Sequence, residues 1–263
     1  MSLRKPFVSL VSNDRYQIGC TGQTVYLLDA AGNELAKFQD TSYAYYPALH
    51  PDGDIAAVYS NKGIMAIYSL SERRLVRKFR VTAVNDTQTN VIPRFSPDGA
   101  YLYHIEGRKG DMLSSRISVY STVDYRPVKR LFEQAPRMCF SCMDFDESSG
   151  YLYLLGFFRR ENRNDYFVAP LNGQSLQNIR SIDQSLHDFY RDAIFLKQRG
   201  FTKESYKWSS FAFAPRMNAF IEHLTGRSVA ADPFGQEYTL DDLKLMDLSL
   251  ARLWEDGPRP KER

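Results

Sequence analysis

Short apolar runs separated by turn residues recur along this chain. Tyr45 to Leu49 and Ile55 to Tyr59 flank His50-Pro51-Asp52-Gly53, and Val91 to Phe95 and Tyr101 to Ile105 flank Ser96-Pro97-Asp98-Gly99. Proline presets φ at the first corner and glycine accepts positive φ, so each Pro-Asp-Gly between two runs predicts a hairpin turn. Pro51 and Pro97 stand 46 residues apart, which is the length of one four-stranded repeat. Weaker copies follow the same phase at Ser12-Asn13-Asp14, Asp146 to Gly150 and Ala214 to Asn218, each with a second candidate strand after it. A third strand also recurs, at Val25 to Asp29, Ala66 to Ser69, Ser118 to Ser121, Phe167 to Pro170 and Leu243 to Asp247.

One stretch breaks this rhythm. Leu186, Phe189, Tyr190, Ala193, Ile194 and Leu196 recur with helical period, Ser185 stands as a start signal with Asp188 three residues on, and Gly200 follows the last turn. A helix over 185–199 is predicted, as a plug, a cover for a gap between blades, or a contact element.

The order of turns and third strands resembles the WD40-like β-propeller superfamily, whose inner strand ends in a Ser-Pro-Asp-Gly turn. The resemblance is carried by Pro51 to Gly53 and Pro97 to Gly99; the Trp-Asp and Gly-His signatures of that superfamily are absent. It implies an all-β fold, a single propeller of about five four-stranded antiparallel blades, and no specific partner; a non-catalytic protein-interaction platform is expected from the one-sided loops and the lack of a catalytic constellation. The repeats assign blades to about 6–40, 43–81, 90–133, 138–182 and 208–256, with a helical insertion at 183–207 and a disordered tail at 257–263. Every copy keeps one phase, from Phe7 in an innermost strand to Leu253 in an outermost one, so either ring closure rests on packing of the last blade against the first or the ring is incomplete.

Strands that meander put first-to-second and third-to-fourth turns on one face and second-to-third loops and blade links on the other. The first set is short. The second lengthens along the chain, through Gly107 to Ser115 and Arg159 to Asp165 to Thr225 to Asp241, with long links at Thr82 to Asn90 and Asp183 to Lys207. Long loops on a rigid scaffold are where binding resides. The partner-binding candidates on this face are Arg108, Lys109, Arg159, Arg160, Arg163, Tyr190, Arg227, Phe234 and Tyr238. Their arginines suit an acidic protein surface.

Composition sharpens this picture at three points. Hydrophobic residues make up 43% of the chain, with 17 Tyr and 17 Phe, enough for a packed core. No run is long and apolar enough for a signal-peptide core or a membrane span, and three cysteines, an odd count, fit a reducing compartment, so the cytoplasm is expected. A net charge of +3 does not by itself argue for nucleic acid, because that signal requires basic residues concentrated on one surface. Nucleic-acid binding through the basic loops is therefore the weakest alternative. Arg73, Arg74, Arg77, Lys78 and Arg80 fall on a fourth strand, where charge blocks edge-to-edge pairing.

Candidate chemistry is sparse. Cys139 and Cys142 have Cys-x-x-Cys spacing, but on a strand residues three apart face opposite sides, so buried thiols are expected rather than a metal or redox site. His104 and Glu106 share one strand face without a third ligand, and a solvated or hydrogen-bonded pair is expected. A five-bladed glycosidase or sugar-binding propeller is the runner-up reading; it needs converging axial carboxylates, and the inner strands offer Asp144 and Asp146 only. No catalytic residue, metal or cofactor is assigned.

Overall fold

The computed structural model describes residues 6–84, 91–108, 110–202 and 248–256. Among the described residues four antiparallel sheets follow one another. The first is β1 (Ser9–Ser12), β2 (Tyr16–Cys20), β3 (Val25–Asp29) and β4 (Glu34–Phe38). The second is β5 (Ala44–Leu49), β6 (Ile55–Ser60), β7 (Ile64–Ser69) and β8 (Arg74–Arg80). The third is β9 (Arg94–Phe95), β10 (Tyr101–Arg108), β11 (Asp111–Ser121) and β12 (Pro127–Leu131). The fourth is β13 (Met138–Phe145), β14 (Leu152–Arg159) and β15 (Asn164–Asn172), whose outer neighbour is split into β16 (Ser175–Leu176) and β17 (Arg180–Ile182). In each, strands pair in chain order.

The Pro-Asp-Gly turns join β5 to β6 and β9 to β10, with Gly53 and Gly99 at φ 77° and 72°. Adjacent turns are tied together. Asn13 Nδ2 donates to the Gly53 carbonyl (3.1 Å) and Arg15 Nη2 to that of Asp52 (2.8 Å). His50 Nε2 lies 2.8 Å from the Gly99 carbonyl oxygen, which can only accept, so this nitrogen carries the proton. A side chain at position 99 would strike the His50 ring, with its Cβ 2.5 Å from a ring carbon.

Alternation along the strands gives each sheet two apolar faces. On β6 and β7, Ala56, Val58, Ala66 and Tyr68 pack with Ile18 and Leu27 of the first sheet. Their sequence neighbours Ala57, Tyr59, Met65 and Ile67 pack with Leu102 and Tyr120 of the third. Ile105, Ile117 and Val119 then meet Phe140, Leu154 and Phe167 of the fourth. Sheets stacked face to face in chain order, each a four-stranded meander, are blades of an all-β propeller.

The free face of the fourth sheet is covered by α1 (Gln184–Arg199) and α2 (Leu250–Asp256). All six residues of the expected stripe are buried, packed on Leu155, Phe157, Tyr166 and Val168. The helix therefore lies against a blade face. Its C-terminal end reaches the first sheet: Thr202 Oγ1 donates to the Phe7 carbonyl (2.8 Å), and a Cβ at Gly200 would sit 1.9 Å from the Leu10 oxygen.

Several expectations are corrected. The helix cap is Asp183, whose carboxylate accepts from the Leu186 amide at 2.8 Å; Ser185 lies inside the first turn, and Asp188 turns toward His187 and Arg191. Leu253 lies on α2, where Leu250, Leu253 and Trp254 follow helical spacing and Ser249 Oγ caps the Arg252 amide, so it is not on an outermost strand. The stretches Gly107 to Ser115 and Arg159 to Asp165 are hairpin ends with short turns rather than long loops. The remaining strands assigned to a fifth blade, the loop Thr225 to Asp241 and the tail lie outside the described residues.

Candidate partner-binding face

Two hairpins overhang their sheets on one side. In the third sheet β10 and β11 continue to Gly107 opposite Ser115 and Arg108 opposite Asp111, whereas the last β12 pair is Leu131 opposite Ile117. In the fourth, β14 and β15 continue to Arg159 opposite Asn164, whereas β17 stops at Ile182 opposite Tyr166. In the second sheet β8 covers its hairpin to the end, with Arg80 opposite Ile64. The overhang thus belongs to two consecutive blades.

The link between those blades is laced into both hairpins. Arg108 Nη1 donates to the Ala135 carbonyl (2.8 Å), the Arg137 amide to Ser114 Oγ (2.7 Å), the Phe140 amide to Ser115 Oγ (2.7 Å) and the Arg159 amide to the Arg137 carbonyl (2.8 Å). Beneath them Glu106 accepts from Arg116 Nη2 (2.9 Å) and from the Tyr120 hydroxyl, while Arg116 Nη1 reaches Glu133 at 3.0 Å. A buried carboxylate with those donors fixes the hairpin stem, because leaving any partner unmade inside costs ~1–3 kcal/mol.

On this support the charges are mostly positive. Arg108 pairs with Asp111 at 3.4 Å. Arg160 and Arg163 share the single carboxylate of Asp165, at 2.9 and 3.0 Å, and their guanidinium groups hold that carboxyl below its ordinary range, Arg160 foremost. Arg160 and Arg163 remain 62% and 78% exposed, so both can be offered to a partner. Arg159 is half-buried over the Phe157 ring (5.4 Å), and Arg137 is exposed with φ 58°. Arg108, Arg137, Arg159, Arg160 and Arg163 thus face Asp111, Glu161 and Asp165. Arg137 was missed in the sequence because it looks like an ordinary link residue; only the lacing places it between the hairpins.

Tyr190 is buried against the fourth sheet, its ring spent in the core rather than on this face. Lys109, Arg227, Phe234 and Tyr238 lie outside the described residues. Cys139 and Cys142, expected on opposite sides, are buried in one cluster, because the register shifts between Phe140 and Cys142 and Ser141 is the extra residue of a bulge. His104 and Glu106 do share a face but are both buried, away from water.

The bulge builds a chain the sequence did not announce. Ser141 Oγ lies 2.9 Å from His187 Nε2, and His187 Nδ1 lies 3.1 Å from Asp188 Oδ1, which also takes Arg191. A carboxylate only accepts, so Nδ1 carries the proton, and the neutral ring accepts at Nε2 from the Ser141 hydroxyl. Nucleophilic catalysis uses this order of groups, but Ser141 and His187 are fully buried under the Phe157 and Tyr166 rings, so the chain pins α1 to β13. Near the inner strands, Asp144 is held by Arg94 (3.0 Å), Lys197 (3.6 Å) and Gln198 (3.2 Å).

No protein-family model matches the sequence, and no curated protein matches it. Similar solved structures include a eukaryotic initiation factor (TM-score 0.46, 14% identity, 69% of this chain and 45% of that one). They also include the dihydro-heme d1 dehydrogenase NirN in complex with DHE (0.47, 15%, 64% and 35%) and the WD40 domain of Toxoplasma gondii coronin (0.49, 17%, 67% and 45%). The matched region spans less than half of each of those chains.

Proposed function

We propose that this chain is a non-catalytic protein-interaction platform that receives an acidic partner surface on the β10–β11 and β14–β15 hairpins. The observation that carries this reading is the pair of overhanging hairpins, laced through one link, presenting Arg137, Arg160 and Arg163 in fixed positions. A preorganised cationic surface speeds encounter and selects acidic partners at little ordering cost. The glycosidase reading has its axial carboxylate, Asp144, already engaged by Arg94 and Lys197. Among the described residues no helix is long and apolar enough to cross a membrane. The three buried cysteines, none of them in a disulfide, accord with a reducing compartment.

The test is affinity capture from the native cell with the parent and with Arg137→Glu/Arg160→Glu/Arg163→Glu. These side chains lie on the surface, so the variant should fold like the parent. A partner retained by the parent should be lost by the variant, and its capture should weaken with salt. Identical capture by both proteins would dismiss this face.

A further inference from the structure

The outer edges of the second and third sheets are basic, and the other described edges are not. β8 carries Arg74, Arg77, Lys78 and Arg80, with Arg73 just before it; β12 carries Lys129 and Arg130, with Arg126 just before it. By contrast, β4 has one lysine and one glutamate that pair with each other, β16 has no charge and β17 one arginine. Each of these outer strands exposes unpaired backbone groups, so protection against edge pairing is needed on all of them alike. Concentration on two consecutive edges calls for another cause.

The register shows where these charges point. Residues opposite one another in neighbouring strands share a sheet face. Arg77 is opposite Ile67 and Phe79 opposite Met65, and Met65 and Ile67 pack toward the third sheet, so Arg77 leans that way too. On β12, Arg130 is opposite Ser118 and Pro127 opposite Tyr120, and Tyr120 packs toward the second sheet, so Arg130 leans back. The Phe79 and Tyr120 rings meet at 5.1 Å between them. Arg77 and Arg130 therefore stand on the two lips of one cleft with an aromatic floor, while Lys78 and Arg80 lean to the first-sheet side of β8 and Lys129 to the fourth-sheet side of β12, which extends the charge along the rim on either side.

Only some of these cations are consumed internally. Arg74 pairs with Glu72 and Arg126 with Asp124, while Lys78 Nζ donates to the Asp40 carbonyl at 3.1 Å. Among the described residues Arg77, Arg80, Lys129 and Arg130 have no carboxylate partner. Stacked sheets lie ~10 Å apart, so the charges form a track across two blade edges rather than a pocket around one group. A track of this kind fits a continuous polyanion, and arginine forks match phosphate oxygens two at a time.

We propose that the outer rim of the second and third sheets binds the phosphate backbone of a nucleic acid, independently of the hairpin face. Contacts to phosphates alone carry no sequence information, so binding is sequence-independent and strongly salt-dependent.

Fluorescence anisotropy with labelled single-stranded RNA, single-stranded DNA and duplex DNA, each over a salt series, reads this directly. Against the parent, Arg77→Gln/Lys78→Gln/Lys129→Gln/Arg130→Gln should bind single strands at least about tenfold more weakly, with a salt slope shallower by up to about 3, at ~0.7 per lost phosphate contact. The hairpin variant Arg137→Glu/Arg160→Glu/Arg163→Glu should keep its loss of protein capture yet retain most nucleic-acid binding. Arg77→Gln and Lys129→Gln/Arg130→Gln carry the same test in smaller steps, with matched urea midpoints showing an intact fold. The proposal fails if the parent binds none of the three at low salt, if the rim variants bind like the parent, or if polyglutamate binds as tightly as the oligonucleotides. RNA and DNA arms of equal strength support it; a difference between them names the sugar that is preferred.

Discussion

His104 is sealed completely, with its ring 4.6 Å from that of Tyr59, and neither ring nitrogen has a hydrogen-bond partner among the described residues. Burial pushes its pKa down to about 4, against the pull of the Glu106 carboxylate. In the unfolded chain an ordinary histidine titrates near 6.5. Between those values the unfolded state binds more protons, so this contribution to stability is full above about pH 6.5 and is lost as pH falls toward 4, at ~1.4 kcal/mol per pH unit. His187, also depressed chiefly by burial, loses stability on the same acid side. Urea unfolding at successive pH values should show this slope in the parent and a flatter one in His104→Leu. Equal slopes would mean His104 is not held neutral. From the sequence one could read that positions 104 and 106 share a face. That the face was an interface between sheets, and dry, depended on Tyr59 arriving from another blade.

At the scale of elements, Gly200 is the most constrained joint. It closes α1 at φ 87° and ψ 135°, a region that side chains avoid, while the Leu10 carbonyl occupies the place of any Cβ. Gly200→Ala should therefore cost about 2–5 kcal/mol, strain and overpacking together. At Gly173, with φ 64° and nothing within 4 Å, alanine meets only the backbone term and should cost about 1 kcal/mol. Chemical denaturation of both variants makes the comparison, and similar losses would remove the case for a close contact. The body of α1 was legible because six apolar residues kept helical period. Its start was not, because Asp183 and Ser185 are both capping residues two positions apart and only backbone geometry chooses between them. α2 was hidden for the opposite reason: the repeat phase carried a strand across Leu253, although Leu250, Leu253 and Trp254 have local helical spacing. The hairpin ends looked like loops because Gly107, Arg108 and Ser115 are poor strand formers. Pairing with the partner strand and lacing from the link override that preference.

Over the whole molecule, each sheet leans on its chain neighbour, and α1 joins the fourth sheet to the first. Phe189→Ala, emptying a ring buried on β14 and β15, should cost about 3–5 kcal/mol. Hydrogen exchange should then speed up in the first sheet as well as the fourth, even though Phe189 packs on the fourth. If protection falls in the fourth sheet alone, the helix is not a shared support. Four repeats were legible from their turns, and the side carrying Arg160 and Arg163 from strand direction. The rim cleft was not, because Arg77 and Arg130 meet only through the parity of two registers in separate blades.

The bond from Thr202 to the Phe7 carbonyl spans 195 positions, which gives it a meaning in time. A ribosome adding about 5–20 residues per second needs about 10–40 seconds to supply the second partner after the first. Throughout that interval the second, third and fourth sheets can stack as they emerge, yet the opening strand has its hairpin and β5 but not its helix. The first sheet thus waits through that interval for a contact that it makes in the folded state, and it is there that a nascent chain of this protein would gain from a chaperone's cover.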